Sequence, residues 1–327
     1  MTVSVIIPAY NAAPTIARTL EALACQDYKD PFEVIVVDDG STDHTAAVAQ
    51  SFSWVRCARQ DNAGPAAARN HGARLAQGLY LCFTDSDCIP HPDWISCLLR
   101  GFGAKDIAVV CGSYGIANPG SLLASGIHGE IIFRHRHLMP DFPKAFGSYN
   151  FCVRKEVFDR VGGFQAGYRQ ASGEDNDLSY RILAAGGRLY FERQALVDHY
   201  HTTRTAKYLK EQFRHGFWRA KMYLEHPGMV KGDDYTFWKD VLEVPWAAGC
   251  VIAMAASIFI TAFKAPVYFL FVLFLAFEVL FAFRMLRGIF TGFFFGFVMY
   301  VRAFSRAFGL STGIFYFLAQ KAAKIFK

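Results

Sequence analysis

Leu79-Tyr-Leu-Cys-Phe-Thr-Asp-Ser-Asp87 joins a short apolar run to two carboxylates that stand one residue apart. The apolar run predicts a buried strand, and Asp85 and Asp87 follow directly after it. Mg²⁺ and Mn²⁺ prefer oxygen ligands, which commonly come from one or two carboxylates and from substrate phosphates. The stretch therefore predicts a metal and phosphate site at a strand end. A three-residue pattern needs support from its surroundings.

That support comes from the residues before it, where strands alternate with helices. Strands are predicted at 3–7, 32–37 and 54–58, and helices at 14–24 and 66–76, with Ser41 or Thr42 capping a further helix at 46–48. Such alternation predicts a mainly parallel, twisted sheet with helices on both faces. Ligands bind at the carboxyl ends of the strands in such sheets. Pro8–Asn11, Asp38-Asp39 and Asp85–Asp87 all occur where strands end.

Between residues 108 and 191 the pattern is less regular. Strands are predicted at 108–111, 151–154 and 188–191, and a helix at 177–185 that stops at Gly186-Gly187. The basic stretch Arg134–His137 is interpreted as a solvated loop in preference to a phosphate contact.

The charges divide the chain into two parts. Residues 1–240 contain equal numbers of acidic and basic side chains, whereas 241–327 hold eight basic and two acidic residues, which is the whole net charge of +6. A neutral first part argues against nonspecific nucleic-acid binding, which needs a basic surface. A basic tail suits anionic lipid headgroups. The eight cysteines form no regular framework, which favours a reducing cytosol.

The second part contains two segments long enough to cross a membrane, 244–263 and 265–283, which predict a helical hairpin. Glu278 is costly in lipid and should face a partner. Residues 288–301 form an apolar run that is followed by Arg302 and Arg306 on one helical face. This pattern favours an interfacial helix, with a third crossing left open. Before the hairpin, an amphipathic helix at 203–224 suits either the interface or core packing. Its apolar face consists of Leu209, Phe213, Phe217, Ala220 and Leu224, and its basic face of Lys207, Lys210, Arg214 and Lys221.

Residues 1 to about 201 resemble a family 2 glycosyltransferase with the GT-A fold. The resemblance rests on many ordered motifs: 5–11, 36–43, Asn62-Ala-Gly64, Ala68-Arg-Asn70 with Gly72, Asp85–Asp87, Asn150, Gly162–Phe164, Gly173–Asp175 with Asp177-Leu178 and Arg181, and His199. It implies an α/β GT-A domain, a Rossmann-like mixed sheet, followed by a C-terminal helical membrane region. The predicted domains are 1–225 (catalytic, with 203–225 as the interface helix), 226–243 (linker), 244–283 (hairpin) and 284–327 (basic interfacial helices).

The resemblance assigns nucleotide-sugar binding to Pro8, Ala9, Tyr10, Asn11, Asp38, Asp39, Arg69, Asp85 and Ser86. Asp38 and Asp39 would accept hydrogen bonds from the base or ribose, and Arg69 suits a planar contact with the base. Asp87 is expected to bind Mn²⁺ or Mg²⁺, with Asp85 assisting and His199, or less readily His201, completing the site. Asp175 and Glu174 form the expected catalytic pair, with Asp175 as the general base of an inverting single displacement.

The expected function is a membrane-associated, metal-dependent glycosyltransferase. It would move a sugar from a UDP- or GDP-sugar to a hydroxyl of a lipid-linked or membrane-held glycan, with membrane lipids as further partners. Transfer to a polyprenyl phosphate and a non-catalytic membrane scaffold are the alternatives. The absence of a glycine-rich fingerprint after the first strand argues against a nicotinamide-binding oxidoreductase. An even number of crossings and the positive-inside rule place the catalytic domain on the cytosolic side of the inner membrane.

Overall fold

The computed structural model describes residues 2–167, 173–225 and 238–325, which fall into two units. The first unit comprises the described residues of Met1–Ala117 and Met139–Tyr200, and the second those of Asn118–Leu138 and His201–Lys327. The second unit is therefore assembled from two separate stretches of chain.

The first unit is built on one mixed sheet. Its eight strands are β1 Val3–Ala9, β2 Phe32–Asp38, β3 Val55–Arg59, β4 Tyr80–Thr84, β5 Cys88–Pro90, β6 Ile107–Ile116, β7 Asn150–Arg154 and β8 Arg188–His199. They lie in the order β3-β2-β1-β4-β7-β6-β8-β5. The four strands β3, β2, β1 and β4 are parallel to one another, and β7 runs antiparallel to its neighbours β4 and β6. Strand β8 is parallel to β6, and β5 is antiparallel to β8. The predicted α/β mixed sheet is confirmed.

Helices cover both faces of this sheet. They are α1 Ile16–Ala24, α2 Thr45–Gln50, α3 Pro65–Leu75, α4 Trp94–Arg100, α6 Lys155–Arg160 and α7 Glu174–Ala184, while α5 Leu122–His137 belongs to the second unit. Val5 and Ile7 of β1 share one core with Leu20 and Trp94. On the other face α3 rests directly on β1, because a Cβ at Gly72 would lie 2.4 Å from Ile6 Cγ2. This close approach fixes the helix that carries Arg69.

Several local predictions differ from the structure. Neither Ser41 nor Thr42 caps α2, which begins at Thr45; the Asp43 carboxylate instead accepts the Thr45 amide at 3.0 Å. Strand β5 has three residues, too few for a periodic signal. Arg134–His137 is not a solvated loop: it is the last turn of α5, in which Arg134 and His135 are buried.

The second unit is helical. It contains α5, α8 Thr205–Glu225, α9 Trp238–Phe259, α10 Lys264–Met285 and α11 Ile289–Ile325, with a 3₁₀ turn at Thr261–Phe263 between α9 and α10. By length and composition three helices can cross a membrane: Trp238–Phe259, Lys264–Met285 and Ile289–Ala323. Residues 238–243, expected in a linker, already belong to α9, and 226–237 lie outside the described residues.

The interruption that Arg302 and Arg306 suggest in the sequence does not break α11. Both arginines belong to a set of eight charged side chains, called here the buried ion network: Glu130, Arg134, Lys239, Asp240, Glu243, Glu278, Arg302 and Arg306. Their carboxylates neutralise the two arginines, so the helix continues through them. These two members of the basic tail therefore pair with carboxylates of their own unit.

Glu278 has the partner that its cost in an apolar setting requires. It is fully buried, and its carboxylate lies 2.8 Å from Lys239 Nζ, which also lies 2.6 Å from Glu243. Pairing of this kind is the usual condition for an ionisable group inside an apolar helix bundle.

The buried face of helix α8 overlaps the predicted apolar face at Ala220 and is otherwise centred on different residues. The buried positions include Tyr208, Gln212, Gly216 and Ala220, whereas Phe213 is 36% and Leu224 40% exposed. The reason is close packing on α11: a Cβ at Gly216 would lie 2.3 Å from the Arg306 carbonyl oxygen. Small residues permit such an approach between helices.

Candidate functional site

The first group of candidate residues lies where β1 and β2 end. Pro8 and Ala9 are buried within β1, and the Asp39 amide donates to the Ala9 carbonyl at 2.8 Å. Asn11 has a positive φ of 50°, and its side-chain oxygen accepts the Thr42 amide at 2.9 Å. Tyr10, which is 53% exposed, therefore projects from a loop that is fixed on both sides.

Asp38 and Asp39 are both buried at the end of β2. Asp38 Oδ1 accepts the Ser41 amide at 3.0 Å, and its Oδ2 lies 3.4 Å from Arg59 Nε. The Asp39 carboxylate accepts the Gly64 amide at 2.9 Å, along with the Ala63 amide and the Gln60 side chain. Asp39 thus ties β2 to the start of α3. Each carboxylate oxygen has two lone pairs, so a ligand donor can still be accepted.

Arg69 on α3 is the centre of an acidic cluster. Its guanidinium is buried and contacts Asp85 Oδ1 at 2.8 Å and Glu174 Oε1 at 3.2 Å. Burial alone would lower the pKa of Arg69, but the carboxylates of Asp85, Asp175 and Glu174 raise it above its ordinary value. Arg69 therefore joins α3, the end of β4 and the start of α7 as a permanent cation.

Asp175 lies at the N-terminus of α7, next to this cluster. Burial raises the pKa of Asp175 and the Asp85 carboxylate adds to the rise, while Arg69 and Ser148 oppose it. Its Oδ1 is buried and has no hydrogen-bond partner within the described ranges. Gly147 lies beside the other carboxylate oxygen, since a Cβ there would be in ordinary van der Waals contact with Oδ2 at 3.8 Å. Asp175 is thus a carboxylate with unused acceptor capacity and raised basicity.

A second group forms at the junction of β4, β5 and β8. Asp87 Oδ1 lies 3.4 Å from His199 Nε2, because Tyr200 N donates to the Asp87 carbonyl at 2.9 Å and β5 pairs with the end of β8. Asp87, Cys88 and His199 offer ligand atoms within 4.8 Å of one another. The Ser86 carbonyl accepts the Thr19 hydroxyl at 3.2 Å, which fixes the turn between the two aspartates.

The donor set of this group fits a hard divalent cation. Asp87 and His199 offer oxygen and imidazole ligands, which suit Mn²⁺. Burial, with the Asp87 and Asp85 carboxylates nearby, raises the pKa of the Cys88 thiol well above its ordinary value, and a soft sulfur ligand suits a hard cation less well than oxygen does. Asp85 is committed to Arg69, and His201 belongs to the second unit, where its backbone pairs with Asn118.

Three side chains that the motif resemblance includes prove to brace the site. The Asn70 amide makes two hydrogen bonds with the Phe164 backbone, at 2.7 and 2.9 Å. Arg181 contacts the Val161 and Gly163 carbonyls and Asp177, which secures the same turn against α7. The Asn150 amide is used fully within the core by Trp94, Ser113 and Ala195.

An aromatic pair was not predicted. Tyr114 and Tyr149 stack with ring centroids 3.8 Å apart, and Tyr114 also contacts the His199 ring at 5.4 Å. A Cβ at Gly147, the position beside Asp175, would lie 2.6 Å from the Tyr149 ring. These contacts connect the surroundings of Asp175 with those of His199 and Asp87. Because the two tyrosines occur in an irregular stretch, the sequence carries no periodic signal for them.

Comparison with known proteins agrees with this geometry. The model for glycosyl transferase family 2 matches residues 4–174. Glycosyltransferase AglE of Haloferax volcanii is 30% identical over 230 residues, which cover 68% of this chain and 74% of AglE. Validoxylamine A glucosyltransferase of Streptomyces hygroscopicus subsp. jinggangensis is 31% identical over 226 residues, covering 59% of this chain and 54% of the relative.

Among solved structures, mannosyltransferase PcManGT from Pyrobaculum calidifontis, in complex with GDP-Man and Mn²⁺, is similar with a TM-score of 0.60 at 21% identity. The similarity covers 93% of this chain and 86% of that one, and it shows the fold. The chain belongs to glycosyl transferase family 2 and is a glycosyltransferase whose GT-A domain is accompanied by three long apolar helices.

Proposed function

We propose that this glycosyltransferase moves a sugar, with inversion, from a UDP- or GDP-sugar to a hydroxyl of a lipid-linked or otherwise membrane-held glycan. The observation that carries the proposal is Asp175, a carboxylate of raised pKa with a buried, unpartnered oxygen beside Arg69. A hydroxyl acceptor needs a base to take its proton during attack, and a carboxylate of raised pKa suits that task.

The donor nucleotide is proposed to bind along the ends of β1, β2 and β4. Tyr10 is placed to stack on the base, and Asp38 and Asp39 to accept from the base or ribose. Ser86 and Asp85 would approach the ribose and diphosphate. The similarity to a fold that binds GDP-Man supports this donor class. Hydrogen bonds between residues 11–13 and residues 41–45 support a pre-formed pocket.

A divalent cation is proposed at Asp87 and His199, with Asp85 in support. When bound there, it would neutralise charge on the diphosphate as the sugar–oxygen bond breaks. Arg69 keeps Asp85 and Glu174 in fixed positions, so Glu174 acts by positioning the cluster. Asp175 accepts the acceptor proton while the hydroxyl oxygen forms the new bond and the nucleoside diphosphate leaves from the opposite face.

The membrane setting is proposed from the second unit. Helices α9 and α10 suit a hairpin, with Arg284 and Arg287 at its cytosolic end according to the positive-inside rule. Helix α11 packs along α8, which exposes Lys207 and Lys210, and this favours an interfacial position for α11. Two crossings place the catalytic unit on the cytosolic side, where nucleotide sugars are made and a lipid-borne acceptor stays within reach.

The test uses the detergent-purified protein. A panel of UDP- and GDP-sugars with Mn²⁺ is screened for hydrolysis, and the best donor, carrying a radiolabel, is incubated with an organic extract of membranes. We expect label to enter the lipid phase for wild type and for the matched carboxylate control Asp106→Asn, whose side chain pairs with Arg188 at the surface. Asp175→Asn should lose transfer.

Two outcomes would overturn the proposal. Absence of turnover with every donor would favour a non-catalytic scaffold. Full activity of Asp175→Asn on a polyprenyl phosphate would favour that acceptor, because a phosphate is already ionised and needs no base.

A further inference from the structure

The second unit contains a cavity of about 400 Å³ between α5 and the end of α10. Its walls combine charge and apolar surface: Arg136, His137, Arg284 and Arg287 lie with Ile132 and Phe133. No carboxylate lines it among the residues that the structure describes. A concave site with both kinds of wall suits an amphipathic anion.

Six arginines of this unit fall into two classes. Arg134, Arg302 and Arg306 are paired with carboxylates of the buried ion network. Within the described residues, Arg136, Arg284 and Arg287 form no ion pair, and all three are exposed. Three uncompensated guanidinium groups that converge on one cavity repel one another, and a bound anion relieves that repulsion. Arginine binds phosphate through paired, charge-assisted hydrogen bonds.

The membrane position proposed for α10 would put this cavity at the level of the lipid phosphates. Arg284 and Arg287 stand at the C-terminal end of α10, whose apolar body has the length to cross a membrane. Basic pockets beside membrane helices on the cytoplasmic side are suited to anionic headgroups. The apolar side chains of Ile132 and Phe133 are half-buried and leave surface for the first carbons of a lipid chain.

The walls are held firmly in place. A Cβ at Gly129 would lie 2.1 Å from Leu286 Cδ2, and one at Gly126 would lie 2.2 Å from the Phe295 ring. These two glycines let α5 rest directly on the corner between α10 and α11. The ion pairs of Glu130 with Arg302 and of Arg134 with Asp240 secure the same helix. The helices that carry the arginines are therefore fixed relative to one another within this unit, which limits the entropy lost on binding to that of the side chains.

We infer that this cavity binds the phosphate group of a membrane lipid, either an anionic phospholipid or a lipid-linked, acceptor-type phosphate. The inference rests on the proposed function, which places α10 in a bilayer. It adds a second ligand for the enzyme, one that does not depend on the donor. Arg136, Arg284 and Arg287 would hold the phosphate oxygens, and Ile132 and Phe133 would contact the chain.

The experiment measures binding to the detergent-purified full chain by microscale thermophoresis. The probes are dioctanoyl phosphatidylglycerol, farnesyl diphosphate and inorganic pyrophosphate, each in the presence of excess UDP, GDP and Mn²⁺ to occupy the donor site. Arg284→Gln/Arg287→Gln is compared with Lys264→Gln/Lys321→Gln, which removes the same charge from exposed positions of α10 and α11 away from the cavity.

We expect the arginine variant to bind the preferred lipid about tenfold more weakly or worse, and the lysine variant to stay within about twofold of wild type. Preference for farnesyl diphosphate assigns the cavity to an acceptor-type lipid, and preference for phosphatidylglycerol assigns it to the bilayer. Equal affinities for wild type and the arginine variant would overturn the inference, as would pyrophosphate binding as tightly as both lipids. Nucleotide-sugar hydrolysis, measured on the same samples, tests the proposed function separately.

Discussion

Replacing Arg302 by methionine tests the physical basis of the helical unit. Arg302 is fully buried and contacts Glu130 twice, the Tyr208 hydroxyl at 3.1 Å and Glu243 at 3.4 Å. The buried ion network has four carboxylates and four cations, so it is neutral as a whole. Methionine fills much of the same volume but leaves four carboxylates facing three cations.

The expected loss follows from that imbalance. Removing one partner of a buried ion pair leaves an uncompensated charge and costs about 3–5 kcal/mol. A unit of this size loses roughly 2–4 °C of unfolding temperature per kcal/mol, so Arg302→Met should unfold about 6–20 °C below wild type. The measurement is tryptophan fluorescence during heating in detergent.

Two further variants make the result specific. Arg284→Gln removes an exposed arginine from the same unit and should change stability by no more than about 0.5 kcal/mol. Glu130→Gln/Arg302→Met restores three carboxylates against three cations and should recover part of the loss, with a coupling of about 0.5–3 kcal/mol. The reasoning is refuted if Arg302→Met unfolds at the same temperature as Arg284→Gln, or if the double variant is less stable than Arg302→Met alone.

Three predictions concern the catalytic unit. Asp175→Asn should lower transfer by about 10²–10⁴-fold. The same variant should also raise the unfolding temperature at neutral pH. Burial raises the pKa of Asp175 in the folded state, so ionisation of the wild-type carboxyl costs stability as pH rises through that pKa. The stability advantage of the variant should vanish below the ordinary aspartate pKa. An unchanged melting curve at neutral pH would contradict this. Asp87→Ala should reduce Mn²⁺-dependent hydrolysis about tenfold or more while Asp106→Asn retains it, and equal Mn²⁺ titrations would exclude Asp87 as a ligand. Asn70→Ala should destabilise the protein by about 1–3 kcal/mol in denaturant unfolding, because it leaves the Phe164 backbone groups unpaired; wild-type stability would show that water replaces the amide.

The parallel half of the sheet was predictable because its signals are local. Strands β1, β2 and β4 are β-branched or apolar runs ended by polar loops, and each begins and ends within two residues of its prediction. The same rule places Asp39 and Asp85 at strand ends. Strand β5 and the buried face of α8 were not predictable from periodicity. Among the described strands β5 pairs with β8 alone, and the buried face of α8 is selected by glycines on α11 that lie far away in the sequence.

The candidate site shows the same division. Sequence motifs identify Arg69, Asp85 and Glu174, but only the fold shows that Arg69 contacts both acids, 16 and 105 residues away. A charged residue in an apolar run is likewise ambiguous. Within its own segment, Arg302 suggests that the apolar helix is interrupted. Its partner Glu130, however, lies on α5, 172 residues earlier.

Helix α5 leaves the ribosome long before its partners do. Asp240 follows Arg134 by 106 residues and Arg302 follows Glu130 by 172, so at ordinary elongation rates Arg302 is made roughly 10–30 s after Glu130. Throughout that interval Glu130 has Arg134, one turn away on α5, as its ion-pair partner, and the helix lacks the surfaces of α10 and α11 on which it docks. Trimming the apolar C-terminus to obtain a water-soluble enzyme would remove α10 and α11 for good, so such shortened proteins should aggregate through the face of α5 that those helices cover.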